Sequence, residues 1–173
     1  KLDQYILKNF NPKKLKLNNL SFSYNKEKKN IVFQDINLTF KKGQITGLIG
    51  KSGSGKSTIA NIISGLIEDY DGKIEINDNS DFNINILRRS VGYVPQITNL
   101  LDDSIMNNIC FGILNEDIDH EKLNIIIKEV ELNELIKKLD KGINTVVGDQ
   151  GLTLSGGQRQ KIALARTLYL DPK

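Results

Sequence analysis

A glycine-rich segment in the first third of the chain constrains the fold more than any other feature. Residues 50–57 read GKSGSGKS and match the pattern G-x-x-x-x-G-K-[ST] in full. The apolar run at residues 44–49 directly before it predicts a strand that is buried on both faces. The segment after it shows the spacing of one helix face at Ile59, Ile62, Ile63 and Leu66. A strand, a glycine-rich loop and a helix in this order predict an α/β fold.

The chemistry of a phosphate group explains the composition of this loop. Backbone amides can wrap a phosphate only where φ is positive, and glycine adopts such angles at little cost, here at Gly53 and Gly55. The unpaired amides and the dipole of the following helix also favour an anion. Lys56 offers a charge to the β- and γ-phosphates, and Ser57 offers a hydroxyl ligand to Mg²⁺. A chance glycine-serine turn would not need the flanking strand and helix. The predicted ligands are a nucleotide and Mg²⁺, and the predicted contact residues are Gly50, Ser52, Gly53, Ser54, Gly55, Lys56, Ser57 and Thr58. The loop alone does not name the enzyme, because kinases, GTPases and motor ATPases share it.

Hydrophobic periodicity divides the rest of the chain into a mixed first half and a helical second half. Alternation or short apolar runs predict strands at 15–24, 32–40, 73–77 and 90–95, with polar turns at 25–30, at 41–43 and at 71–72. Two helical stripes follow, formed by Leu123, Ile126, Ile127 and Val130 and then by Leu132, Leu135, Ile136 and Leu139. We therefore expect an α/β core with a helical lobe inserted after Gln96.

Charge and cysteine content exclude several classes of protein. The 24 basic and 21 acidic side chains give a net charge of +3, which does not indicate a nucleic-acid partner. The single cysteine, Cys110, excludes an internal disulfide framework and indicates a reducing compartment. The single histidine, His120, has no partner for a metal site and is expected at the surface. No apolar run is long enough to cross a bilayer, so the chain itself is expected to be soluble.

A second glycine pair lies far downstream, in the segment LSGGQRQ. Ser155 and Gln158 fit the capping box of a helix start, so a well-capped helix is the simplest interpretation. That interpretation leaves Gly156 and Gly157 unexplained, because each glycine in a first turn costs about 1 kcal/mol relative to alanine. The pair is expected where another molecule must approach the backbone closely. The sequence therefore predicts a second phosphate-binding helix end.

The two motifs together, GKSGSGKST and LSGGQRQ, resemble those of the ATP-binding-cassette (ABC) ATPase domain. The resemblance runs from about Leu15 onward and implies the P-loop NTPase fold of that family, with a mixed β-sheet and an inserted helical lobe at about residues 100–165. It implies that two cassettes pair head to tail, so that Ser155, Gly156 and Gly157 contact the γ-phosphate bound by the other cassette. ATP-driven pairing would then power transport.

Four further positions carry roles that only the resemblance implies. Tyr24 matches the aromatic residue that stacks on adenine, and Gln96 matches the glutamine that meets Mg²⁺ and the attacking water. The segment LLDDSIMNNI at residues 100–109 resembles the part of exporter cassettes that contacts the membrane subunit. The stretch TVVGDQG at residues 145–151 resembles another exporter segment, with Asp149 where the family usually has glutamate.

The resemblance also implies parts that this sequence lacks, namely the apolar strand ending in Asp-Glu, the following loop and a later histidine. We therefore expect a partial nucleotide-binding domain at residues 15–173 that binds nucleotide but hydrolyses little. Residues 1–14 are expected to link it to a preceding membrane domain, on the cytoplasmic face of the cell membrane. The alternatives are a soluble ABC ATPase of DNA repair or translation, another P-loop enzyme such as a nucleotide kinase, or a piece that binds no nucleotide.

Overall fold

The structure, a computed structural model, describes residues 10–25, 30–149 and 152–173. The chain forms two compact units, of which the first runs to Val91 and includes Lys173, and the second is Gly92–Pro172. Most of the predicted linker at 1–14 and most of the predicted turn at 25–30 lie outside the described residues, as do residues 150–151. The linker and the predicted domain limits stay predictions.

The first unit is built on a three-stranded antiparallel sheet in the order β2-β1-β3. Its strands are β1 (Lys14–Ser23), β2 (Ile31–Lys41) and β3 (Asp71–Ile76). The central strand β1 pairs Leu17 with Leu38 on one side and with Ile74 on the other. Leu17, Leu20 and Ile74 share one buried cluster, because the register of β1 shifts between Leu17 and Leu20, where Asn19 has a φ of +47°. The predicted period-2 alternation therefore holds within each part of β1 and not across this irregularity. The predicted turn at 71–72 is wrong, because both residues begin β3.

Two helices belong to the same unit, α1 (Lys56–Ile63) and α2 (Ile84–Ser90). Ile59 and Ile62 of α1 are buried, as the helical spacing predicts. The core of the unit consists of Leu17, Leu20, Phe22, Phe33, Ile59, Ile62 and Ile74. The predicted place of Leu66 on this face is wrong, because α1 ends at Ile63 and Leu66 is 57% exposed. The backbone leaves the helical path at Gly65, where φ is +71°.

Two predicted buried strands are absent from the part of the chain that the structure describes. Residues 44–49 have no strand conformation, and Ile45 and Ile49 are fully exposed. Ser90 ends α2, and residues 91–95 are also irregular, with Tyr93 and Val94 partly exposed. A strand needs a neighbour for its backbone amides and carbonyls. Among the described residues, the β2-β1-β3 sheet provides no strand that pairs with either segment.

The second unit is mainly helical, as predicted for this half of the chain. Its helices are α3 (Ile105–Ile109), α4 (His120–Glu129), α5 (Asn133–Lys137) and α6 (Gly156–Tyr169). Single 3₁₀ turns occur at Asn115–Asp117 and Gly142–Asn144. A short antiparallel pair, β4 (Asp103–Ser104) with β5 (Val146–Val147), joins the segment before α3 to the segment before α6.

Helix α6 lies at the centre of the second core. Ile162 and Ala165 of this helix are fully buried among side chains of α3 and α4. The first predicted stripe, which includes Leu123 and Ile126, is buried as expected. Cys110 is buried in the same cluster, as its apolar neighbours predict. No helix among the described residues is both long enough and apolar enough to cross a bilayer.

Candidate functional site

The glycine-rich loop has the backbone conformation that its sequence predicts. Gly53 and Gly55 have φ angles of +77° and +85°. Gly55 also precedes α1 as its N-cap residue, and no side chain caps the first amides of that helix. A Cβ atom at Gly55 would lie 2.8 Å from the Phe33 ring and 2.9 Å from the side chain of Val32. Glycine is therefore required there both by the backbone angle and by the close approach of β2.

The Lys56 ammonium group lies inside the loop. Its Nζ donates hydrogen bonds to the carbonyl oxygens of Gly50 at 2.9 Å and Lys51 at 2.7 Å, and it lies 3.4 Å from Ser54 Oγ. All three of these oxygens are neutral. A phosphate oxygen is charged, so exchanging these contacts for a phosphate would give stronger hydrogen bonds. The arrangement holds the cation of the motif within the loop that precedes α1.

Three hydroxyl groups around the loop differ in exposure. Ser52 and Ser57 are exposed, and Ser57 stands in the first turn of α1. Thr58 is buried, and its Oγ1 lies 3.0 Å from the hydroxyl oxygen of Tyr24. The Thr58 side chain therefore joins the start of α1 to the end of β1.

Tyr24 presents most of its ring to solvent, with 69% of the residue exposed. The ring stands edge-on to Phe22, with 4.8 Å between the centroids and an interplanar angle of 89°. Its hydroxyl group is held by Thr58, so the ring is fixed at both ends. A flat, exposed and oriented ring is suited to stacking on a planar group such as a base.

The N-terminus of α6, where the second glycine pair lies, is capped by side chains of the same segment. Ser155 Oγ accepts a hydrogen bond from the Gln158 amide at 3.2 Å, and Gln158 Oε1 accepts one from the Ser155 amide at 2.8 Å. This is the capping box that the sequence predicts. At Gly156 and Gly157 an added Cβ atom would meet no other atom within 4 Å. Among the described residues nothing requires these glycines, and the contact predicted for them with another molecule stays a prediction.

Comparison with known proteins decides the family. The family model described as ABC transporter matches residues 33–173, which is most of the chain. The chain belongs to the ABC transporter family. The prediction made from the two motifs is therefore confirmed for the family and for the fold.

The relatives of this ABC chain include several exporters. It is 36% identical over 164 residues to the mitochondrial iron-sulfur clusters transporter ATM1 of Saccharomyces cerevisiae, which covers 94% of this chain and 23% of that protein. It is 39% identical over 160 residues to the ATP-dependent lipid A-core flippase of Pseudomonas aeruginosa, covering 91% of this chain and 26% of that protein. The chain thus spans about a quarter of the length of these relatives.

A solved structure agrees with these relatives. The structure described as a bacterial Atm1-family ABC exporter with ATP bound superposes with a TM-score of 0.83 at 30% identity. The superposition covers 94% of this chain and 28% of that one. At this identity and score, the ABC fold holds over nearly the whole chain.

Gln96 and the two exporter-like segments of this ABC chain all lie in the second unit. Gln96 is exposed, and its predicted contact with Mg²⁺ stays a prediction. The segments 100–109 and 145–149 are brought together, because Asp103 pairs with Val147 and the Ile105 amide donates to the Thr145 carbonyl at 3.0 Å. Asp149 is exposed beside this pair.

A cavity of about 500 Å³ opens next to these two segments. Its lining comes from residues 97–100, 148–149 and 152–154 and from Arg159, so we call it the 97–159 cavity. Thr98 lines it, and within the described part of the chain the Thr98 hydroxyl, which is buried, has no hydrogen-bond partner. A cavity with polar groups of this kind is suited to a polar segment of another chain.

Two residues that the sequence patterns did not single out, Asn108 and Arg166, are joined by two hydrogen bonds in the described part of the second unit. Asn108 is fully buried, and Arg166 Nη2 donates to its Oδ1 at 2.9 Å. Burial lowers the pKa of the Arg166 guanidinium from its ordinary value through desolvation. The available signal was a pair of asparagines, Asn107 and Asn108, between Ile105 and Ile109 on a short helix, where an unpaired buried amide would be costly.

Proposed function

We propose that this chain is the ATP-binding cassette of an exporter, which pairs head to tail with a second cassette when ATP binds. The observation that carries the proposal is the presence of two different helix tips in one chain. One tip begins at a glycine and carries Lys56, whereas the other is capped by Ser155 and carries two glycines in open space. One nucleotide between two copies would use one tip from each copy.

At the glycine-rich loop, the amides after Gly53 and Gly55 and the free amides of α1 bind the β- and γ-phosphates. Lys56 exchanges its carbonyl partners for phosphate oxygens. The exposed ring of Tyr24 stacks on the adenine base. These three contacts fix the base and the phosphates relative to each other, which is the larger part of catalysis in phosphoryl transfer.

The hydroxyl of Ser57 would hold Mg²⁺, together with Gln96. Over the described residues no cluster of three or more His, Cys, Asp or Glu side chains could hold a metal alone. A site with only one or two protein ligands fits Mg²⁺, because this ion completes its coordination shell with water and nucleotide phosphates. When bound, the ion neutralises charge that develops on the phosphates. The exposed Ser57 in the first turn of α1 is placed beside the loop that receives those phosphates.

At the opposite tip, the amides of Gly156 and Gly157 and the hydroxyl of Ser155 contact the γ-phosphate held by the partner cassette. The absence of side chains at the two glycines lets the partner's nucleotide approach the backbone. Gln158 keeps the tip rigid through the capping box. The partner's nucleotide then meets a preorganised pair of donors.

The membrane domain of the exporter would contact the second unit at the 97–159 cavity. Segments 100–109 and 145–149 border this cavity, and both resemble exporter segments. The relatives named above are transporters, which favours an exporter over a soluble ABC ATPase of DNA repair or translation. The cassette would then lie on the cytoplasmic face of the membrane.

The 173-residue chain on its own is proposed to bind nucleotide and to hydrolyse little. The phosphate loop with Lys56, together with Gln96, supports the binding of nucleotide. A turnover near that of the full-length protein, abolished by Lys56→Ala, would refute this statement.

Calorimetric titration with ATP and Mg²⁺ tests nucleotide binding. Lys56→Ala should weaken ATP binding by about 100-fold, because it removes charge-assisted hydrogen bonds to phosphate. Lys41→Ala removes the same charge from the exposed end of β2 in the same unit and should leave the affinity within about threefold of wild type. Equal affinities for both variants, or no binding by the wild type, would contradict the proposal.

A further inference from the structure

The side chain of Asn108 uses its full hydrogen-bonding capacity in the second unit. Its Oδ1 accepts hydrogen bonds from the Leu101 amide and from Arg166 Nη2, both at 2.9 Å. Its Nδ2 donates to the carbonyl oxygens of Leu101, Asp103 and Ser104 at 3.0, 3.2 and 3.0 Å. Both lone pairs of the amide oxygen and both amide hydrogens are therefore used.

This pattern permits only one orientation of the amide. If Oδ1 and Nδ2 of Asn108 exchanged places, the NH₂ group would face the Leu101 amide and the Arg166 guanidinium, which are both donors. The oxygen would then face three carbonyl oxygens. The Asn108 side chain is thus a rigid connector, and it fixes the path of residues 101–104.

Arg166 attaches the same connector to α6. In addition to its contact with Oδ1, Arg166 Nε donates to the Asn108 carbonyl oxygen at 2.7 Å. The guanidinium also lies over the ring of Phe111, 5.7 Å from its centroid. Arg166 stands ten residues after Gly156 on one continuous helix, so about 15 Å of rigid helix separates it from the glycine tip.

We propose that Asn108 and Arg166 form a positioning joint, which makes the segment 101–109 and the glycine tip of α6 move as one body. The inference rests on the proposed function, in which 101–109 contacts a membrane domain and the tip contacts a nucleotide. A displacement of the membrane domain would then reach the tip through two side chains. Neither residue touches the nucleotide, so both act through the position of Gly156 and Gly157.

Packing alone does not account for this pair. The surrounding cluster is apolar, with Ile105, Ile109 and Ile162 fully buried, and an apolar side chain at 108 would avoid the desolvation of an amide and a guanidinium. A buried polar network fixes one geometry where apolar contacts allow sliding. That property suits a joint which transmits displacement.

Hydrogen exchange of the full-length protein in lipid membranes, read by mass spectrometry, tests the joint. The exchange of peptides covering 101–109 and 152–160 is compared with and without the non-hydrolysable analogue AMP-PNP and Mg²⁺. In the wild type both peptides should change on nucleotide addition. In Arg166→Gln the change at 152–160 should persist, and the change at 101–109 should fall by about tenfold. A merely structural role would raise exchange in both peptides without altering their response to nucleotide.

Two more variants keep the test decisive. Arg166→Lys retains the charge but not the two-pronged contact, so it should lose the response at 101–109 in part even if Arg166→Gln does not fold. Lys161→Gln is the control variant. It removes a cation from the same helix, and that cation pairs with Glu131 in the turn after α4. The exchange of this variant should respond to nucleotide as that of the wild type does. If both Arg166 variants respond like Lys161→Gln, the joint is refuted. If the wild type shows no change in either peptide while Lys56→Ala also shows none, the proposed function fails and the inference fails with it.

Discussion

The tips of α1 and α6 are both helix N-termini with glycines, yet they are built in opposite ways. Gly55 begins α1 with a positive φ and no capping side chain, so the first amides of that helix remain available. Ser155 and Gln158 close the start of α6 with two reciprocal hydrogen bonds. The α1 tip also has a cation, Lys56, within the loop.

This difference shows which tip can hold an anion by itself. The α1 tip offers free amides, the helix dipole and an ammonium group together. At the start of α6, the backbone amides of Ser155 and Gln158 are already bonded within the capping box. Of the amides described at this tip, those of Gly156 and Gly157 are left for a ligand. The α6 tip is suited to completing a site that another molecule has already filled, which is the division of work that a head-to-tail pair of cassettes requires.

The largest expected effect is at the glycine that precedes α1. Gly55→Ala should lower the free energy of unfolding by about 3 kcal/mol, because it adds the cost of a left-handed residue to overlap with Val32 and Phe33. Gly53→Ala is the matched control, because its φ is also positive but a Cβ atom there meets nothing within 4 Å. It should lose about 1 kcal/mol. Urea denaturation followed by circular dichroism measures both, and equal losses would mean that contact with β2 is unimportant.

The opposite sign is expected at the other tip. Gly157→Ala should raise the free energy of unfolding by about 1 kcal/mol, because the helix gains alanine propensity and the space is open. The same change should lower ATP turnover by the full-length protein, since the methyl group would separate the backbone from the partner's nucleotide. Ser155→Ala serves as the contrast, with a loss of about 1 kcal/mol through the missing cap. A Gly157→Ala protein that is more stable and fully active would show that no ligand approaches this tip.

The residues that sequence predicted best are those whose local pattern has one physical solution. A positive φ at Gly53 and Gly55 follows from the motif itself, and the capping box at Ser155 follows from spacing within one turn. The alternation in β1 and the stripe beginning at Leu123 are also local, and both are buried as expected. Identification of the family depended on the two motifs occurring in one chain.

The residues that sequence predicted poorly depend on partners distant along the chain. The runs at 44–49 and 91–95 are apolar enough for buried strands, but no described strand pairs with them. Helix α2 was missed because its seven residues are too few for a clear period. Asn108 and Arg166 lie 58 positions apart, and no local rule connects an asparagine in one helix with an arginine in another.

A smaller effect is expected at Tyr24, the residue beside α1 that we propose stacks on the base. Tyr24→Phe keeps the ring edge-on to Phe22 but removes the hydroxyl that Thr58 holds, so ATP binding should weaken by about threefold. Binding of inorganic tripolyphosphate, which has no base, should not change. Calorimetric titration with both ligands separates the two contributions. Equal weakening for both would assign the hydroxyl to the phosphate loop rather than to the orientation of the ring.

The smallest expected effect is on the stability of the protein in acid, and it involves an ion pair of α6 rather than the loop before α1. Lys161 of α6 pairs with Glu131 at 2.9 Å, and this contact holds the pKa of Glu131 below its ordinary value of 4.5. Lys56, in contrast, contacts only neutral oxygens in the described structure. A lowered pKa in the folded state gives stability that is present above pH 4.5 and is lost as the pH falls through the folded value.

Acid should therefore weaken the contact between α6 and Glu131. The drop in melting temperature between pH 6 and pH 3, measured by circular dichroism, should be slightly smaller in Glu131→Gln than in the wild type, because one contribution lost in acid is already absent. Lys161→Gln breaks the same pair from the other side and should show the same reduced drop. Many other carboxylates titrate in this range, so only the difference between variant and wild type is informative. A drop in both variants as large as that of the wild type would mean that the ion pair adds nothing to the attachment of α6.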